Sequence, residues 1–155
     1  MYSAVLIAHS WLRWVVVLTA LAAFIRGVQG WSGHRRWSAA DDRATLLFTI
    51  ALDLQMLLGL LLYVVLSPQV AAAITNVGVS MRDAVLRFWL VEHLFGMIVA
   101  LVLAHVGRVK IRRTGHDGNK YRYTALFVGL ALFIILVTIP WPFMPAARPL
   151  FRLGA

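Results

Sequence analysis

The chain has 155 residues, 61% of them hydrophobic and only 14% charged, with a formal net charge of +9 and no cysteine. A soluble domain of this length needs more polar surface to cover its core, so this composition excludes an ordinary globular protein and points to the membrane. The missing thiols exclude disulfides, thiolate metal sites, iron–sulfur clusters and thioether-attached haem, but not a haem held by histidine alone.

The first apolar run is Ala4 to Ile25. It lacks a basic stretch ahead of it and a convincing cleavage site, so it reads as a retained helix rather than a signal peptide. It contains His9 and Arg13. The connection that follows, Arg26 to Arg43, holds Arg26, His34, Arg35, Arg36 and Arg43. Asp41 and Asp42 precede the next run, where a helix N-terminus favours anions.

The second run, Ala44 to Leu66, carries Asp53, Gln55, Gly59 and Tyr63. The connection from Ser67 to Ala84 holds a single basic residue, Arg82. Past Pro68, Val70, Ile74, Val77 and Met81 recur at helical spacing, as in one short interfacial helix. The third run, Val85 to Val106, contains Glu92, His93, Gly96 and His105. The third connection, Gly107 to Arg122, holds Arg108, Lys110, Arg112, Arg113, Lys120 and Arg122. The fourth run, Tyr123 to Ile139, is closed by Pro140, Pro142 and Pro145.

Each run has about the twenty residues that a helix needs to cross a hydrocarbon core. In lipid the backbone must satisfy its own hydrogen bonds, and no alternating strand pattern is visible. The expected fold is all-α: a single four-helix transmembrane bundle over residues 1–155, up-down-up-down. Trp11, Trp14, Trp31, Trp37, Trp89 and Trp141 fall near run ends, as interfacial anchors do. Basic residues concentrate in the first and third connections. The positive-inside rule therefore puts those loops in the cytoplasm and both termini on the periplasmic side of a bacterial inner membrane. The charge serves orientation; with no binding motif beside it, nucleic acid is not an expected partner.

Polar residues inside membrane helices are costly and are functional candidates by default. The first and third helices run in the same direction, which puts His9 and His93 at similar depth near the periplasmic side. Two facing imidazoles at one level can hold a haem iron as axial ligands. His9 shares a stripe with Val16, Ala20, Ala23 and Gly27, and His93 one with Gly96, Ala100, Ala104 and Gly107. Small seams let a flat macrocycle approach, Gly96 nearest the site, or else let another helix pack closely. His105 lies near the cytoplasmic end without a histidine partner at its depth, as an interfacial residue would. Arg13 needs an acid, which Asp53 or Glu92 can supply, either as a structural pair or to tune a cofactor. Arg82 and Arg87 suit headgroups, with haem propionates as the other reading. Gln55, Gly59 and Tyr63 share a face that admits a quinone or serves as interhelical glue. No hydrolase spacing, nucleophile elbow or phosphate loop is present.

Several stretches together resemble short bacterial four-helix membrane proteins labelled cytochrome b-like. They are His9-Ser10-Trp11-Leu12-Arg13-Trp14, Gln55 with Leu58-Gly59-Leu60 and Tyr63, Arg87-Phe88-Trp89 before Glu92-His93, and Trp141-Pro142-Phe143 before Arg148-Pro149. The resemblance implies haem b and respiratory electron transfer, with His9 and His93 as the matching histidines. Asp53 stands where that group favours histidine. The expectation is an electron-transfer protein serving quinol or a periplasmic carrier, embedded in lipid as a homo-oligomer or part of a larger complex. The alternative is a cofactor-free accessory subunit. Either is favoured over a stand-alone enzyme, and over a transporter, for which four short helices leave little room.

Overall fold

The structure is a computed structural model and describes residues 1–152. Helix α1 runs over Tyr2–Ser32. It outlasts its apolar run because Arg26 and Gln29 are sound helix formers once the chain leaves hydrocarbon. The turn behind it takes His34 into left-handed backbone at φ 49°. Helix α2 spans Ala39–Leu61. Ser38 and Asp41 start it with a reciprocal capping box. A π-helical turn, Leu62–Leu66, prolongs α2 until Ser67, held extended ahead of Pro68, ends it.

Three short helices follow: α3 (Pro68–Thr75), α4 (Val77–Ser80) and α5 (Ala84–Arg87). The single interfacial helix expected across Val70 to Met81 is thus broken at Asn76, whose side chain caps α4. Its packed face is Val70, Ala73 and Ser80, while Ile74, Val77 and Met81 are exposed. A π turn, Phe88–Glu92, joins α5 to α6 (His93–Arg113). Helix α7 (Asp117–Tyr123), a third π turn (Thr124–Val128) and α8 (Gly129–Thr138) complete the last span.

Among the described residues, four continuous helical stretches are long and apolar enough to cross a membrane: Tyr2–Ser32, Ala39–Leu66, Ala84–Arg113 and Asp117–Thr138. The protein is therefore an all-α membrane bundle of four spanning helices, as its sequence leads one to expect. The spans exceed the apolar runs at the basic end, where most of each expected loop is helical stem.

Small residues bring the helices together. Val16, Ala20 and Ala23 of α1 and Ala100 and Ala104 of α6 meet Phe48 and Leu52 of α2 and Val128, Ala131 and Ile135 of the last span in one core. A Cβ on Gly27 would stand 2.8 Å from the backbone nitrogen of Ala125, and one on Gly107 2.5 Å from Phe127 Cβ. Both seams thus receive the fourth span, which is the helix-packing alternative of the two that the sequence allowed. Gly27→Leu should separate α1 from the last span, because the obstructing atom is backbone and cannot rotate away. The expected cost is about 1–3 kcal/mol, as for other overpacked interiors, read as a lowered unfolding temperature in mild detergent.

At the basic end, each early aspartate ties α2 to other helices. Asp41 accepts from Arg26 Nε at 2.8 Å, Ser38 Oγ at 2.6 Å and the Tyr121 hydroxyl at 2.8 Å. Asp42 takes a two-pronged contact from Arg108, Nη1 to Oδ1 at 2.6 Å and Nη2 to Oδ2 at 2.9 Å. Tyr121, itself fully buried, packs its ring against Gly30, where a Cβ would come within 2.2 Å.

Candidate functional site

The opposite end of the bundle, where the chain begins and the tail up to Arg152 packs, holds His9 and His93. Their ring centroids are 6.4 Å apart and their planes cross at 72°. His93 is the first residue after the Phe88–Glu92 π turn. Such turns shift the register of a helix face and recur at functional sites. Its Nδ1 lies 2.8 Å from the Thr138 carbonyl. A carbonyl only accepts, so Nδ1 carries the proton and Nε2 keeps a bare lone pair, the tautomer a metal-ligating histidine needs. Phe88 and Trp89 pack around the same ring at 5.7 and 5.8 Å between centroids.

His9 sits over Gly59, where a Cβ would lie 3.2 Å from its Cε1. Gln55 Nε2 donates to the His9 carbonyl at 3.0 Å and so fixes α1 against α2 at this level. The Tyr63 hydroxyl donates to the Leu90 carbonyl at 2.8 Å. That carbonyl belongs to the π turn, where the helical hydrogen-bond ladder is disturbed.

A cavity of about 980 Å³, counted out to its open mouth, lies beside the pair; its wall includes His9, Arg13, Gln55, Tyr63, His93 and Met97. A smaller cavity of about 390 Å³ also touches both histidines, with Met56 and Leu94 added. Among the described residues, three buried side-chain polar atoms lack a partner: His9 Nδ1, Arg13 Nε and Gln55 Oε1. All three residues line the larger cavity. Buried polar groups are nearly always satisfied in native proteins. Three orphans on one wall single out this cavity as the candidate site.

The C-terminal segment packs along the mouth of this cavity. Arg13 Nη2 and Trp14 Nε1 both donate to the Leu150 carbonyl, at 2.7 and 3.0 Å, and Trp11 Nε1 donates to the Arg152 carbonyl at 2.9 Å. Phe151 stacks on Trp14 with centroids 5.5 Å apart. Arg148 donates to Gln69 and lies 5.0 Å over the Trp89 ring. Arg148 and Arg152 also line the cavity, so three guanidinium groups gather there, with no Asp or Glu side chain on the wall among the described residues.

The structure corrects several sequence expectations. Arg13 pairs with neither Asp53 nor Glu92; its partner is a neutral carbonyl of the tail. Glu92 instead takes Arg87 at 2.6 Å, which removes Arg87 from the site. Asp53 takes His105 at 2.8 Å on the lipid-facing surface, away from the cavity. Gly96 lies outside both cavities, where a Cβ would meet Thr138 Cγ2 at 2.3 Å. Gln55, Gly59 and Tyr63 do line the cavity wall. Sequence reasoning missed Thr138, the Leu150 carbonyl and the inward role of Arg148 and Arg152. The turn-forming Pro140, Pro142 and Pro145 were the one signal that the chain folds back here.

The 6.4 Å between the two ring centroids is close to the span of two imidazoles on one metal ion. Two metal–imidazole bonds of about 2.0–2.1 Å each, plus the half-widths of two rings, come to roughly 6–6.5 Å between ring centres. The pinned Nδ1 of His93, the unpartnered Nδ1 of His9 and open space touching both rings agree with that ligand set. The chain matches no family model, no curated protein and no solved structure.

Proposed function

We propose that this protein is a cytochrome b-like electron-transfer protein of a bacterial inner membrane, holding haem b through His9 and His93. The observation that carries the reading is the adjacent pair of imidazoles, 6.4 Å between centroids with their planes crossed, beside a cavity with three unsatisfied polar atoms. Haem bound there supplies a one-electron couple.

The chain's own residues do the rest. Thr138 fixes the His93 tautomer through its carbonyl. Arg13, Arg148 and Arg152 provide positive charge for acidic substituents at the cavity mouth. The tail, fastened by Trp11 and Trp14, limits water entry. The basic end faces the cytoplasm by the positive-inside rule, which puts the site near the periplasmic face, within reach of quinol or a periplasmic carrier. The cavity wall of Gln55 and Tyr63 suits a quinone head group as a second ligand class.

A cofactor-free accessory subunit is the second reading, favoured by the filling of both small-residue seams by the fourth span. One experiment separates the two. Protein purified in mild detergent from haem-replete cells should give a reduced-minus-oxidised spectrum with a b-type α-band. His9→Ala and His93→Ala should each abolish it while leaving the helical content unchanged. Folded, colourless wild-type protein overturns the cytochrome reading and leaves the accessory subunit.

A further inference from the structure

Asp53 and His105 form an acid–base pair on the outside of a membrane bundle. His105 Nε2 lies 2.8 Å from Asp53 Oδ1, with side chains 52% and 41% exposed. Asp53 is eight residues beyond Thr45, the level at which α2 meets Arg108, or about 12 Å of helix rise. His105 is one turn inside Arg108 on α6. The pair therefore sits within the apolar belt, flanked by Ile50 and Leu57 on α2 and Val102 and Val109 on α6, all themselves exposed. Ionisable groups at membrane depth normally face protein or a water-filled cavity, because lipid offers no partners. Among the described residues, His105 Nδ1 and Asp53 Oδ2 have no hydrogen-bond partner.

We propose that this face of α2 and α6 is the seat of a second copy of the chain. The argument is charge complementarity under symmetry. Two copies inserted in the same sense are related by a two-fold axis along the membrane normal, and such an interface is self-complementary. The pair bridges from α2 to α6, across the face rather than along it. Rotation by 180° about the normal reverses its direction while keeping its depth. Asp53 of each copy then stands opposite the other copy's imidazole, never opposite the other carboxylate. With Nε2–H given to Asp53, Nδ1 is a second donor when the imidazole is charged, and in that form the dimer closes a four-membered ring of acid–base contacts with Asp53 Oδ2 as the acceptor. The flanking branched and leucine side chains supply packing around it. The inference stands apart from any cofactor.

The absence of cysteine makes the test clean. Because α2 of one copy faces α6 of the other, Leu57→Cys in one tagged copy and Val102→Cys in a second, co-expressed and oxidised in native membranes, should give a disulfide-linked species of twice the chain mass. Leu18→Cys on α1 and Phe133→Cys on α8, equally exposed but on other faces, should not. Asp53→Leu should weaken dimerisation on the order of tenfold, two intramembrane hydrogen bonds being modest in strength. The exchange Asp53→His with His105→Asp keeps acid opposite base across the axis and should retain the cross-link. It carries the test should Asp53→Leu fail to fold. Equal cross-linking at Leu18 and Phe133, a cross-link from Leu57 or Val102 to a different polypeptide, or no cross-link at either position overturns the proposal.

Discussion

Replacing Asp41 by alanine unfastens the basic end of the bundle and lowers stability by about 3–5 kcal/mol, the scale expected when one partner of a buried charged network is removed. Asp41 is 2% exposed. It gathers Arg26 of α1, Ser38 of the capping box and Tyr121 of α7. Without it, the capping box loses the carboxylate that accepts from Ser38 N–H and Oγ–H, and the Tyr121 hydroxyl keeps only the Arg36 carbonyl, 2.9 Å away. Asp42→Ala is the control. Its carboxylate is 42% exposed, and Arg108 keeps the Thr45 hydroxyl and the residue-42 carbonyl as acceptors when it is lost, so the expected cost is smaller, about 1 kcal/mol. Thermal unfolding in mild detergent, followed by circular dichroism, reads both. Equal losses at the two positions would contradict an account based on burial.

The second large effect has the opposite sign. Arg13→Met should stabilise the ligand-free protein by about 1–3 kcal/mol, since replacing a buried charge by an apolar side chain of similar volume is often neutral or stabilising. Arg13 is 8% exposed. Its guanidinium holds one neutral carbonyl, leaves Nε unpaired and lies 5.2 Å over the Trp14 ring. The Leu150 carbonyl keeps its bond from Trp14 Nε1 at 3.0 Å, so the substitution leaves no new orphan there. If the protein is the cytochrome proposed above, the same change should sharply reduce its haem per chain, because the cavity loses its deepest positive charge. A higher unfolding temperature with lost occupancy marks a residue kept for its ligand. A lower unfolding temperature with full occupancy marks one kept to hold the tail.

These effects could not be ranked from the sequence, although their residues could be named. Both histidines were legible because depth along a helix is linear in residue number, and His9 and His93 fall at one level. Gln55, Gly59 and Tyr63 were legible as one face for the same reason. Thr138 was not, since a threonine ending an apolar run carries no mark of the carbonyl it will offer. The tail was not either: Arg13 and Leu150 are 137 positions apart, and no local pattern links them.

The sequence by itself determined that there are four spans, that one end is basic, and that two seams of small residues run along α1 and α6. These properties are one-dimensional. Bilayer thickness fixes the length of an apolar run, and the 3.6-residue period fixes which residues share a stripe. The tertiary structure alone decided the partners. Arg13 reaches the tail, Asp53 reaches His105, Glu92 reaches Arg87, and the seams receive the fourth span rather than a ligand. The reason is rotational. Which stripe of a helix faces which neighbour depends on crossing geometry and on local changes of pitch. In this chain three π turns re-aim the faces beyond Leu61, Arg87 and Tyr123. Such turns arise where packing between helices outweighs the regular backbone ladder, a balance struck only in the assembled bundle.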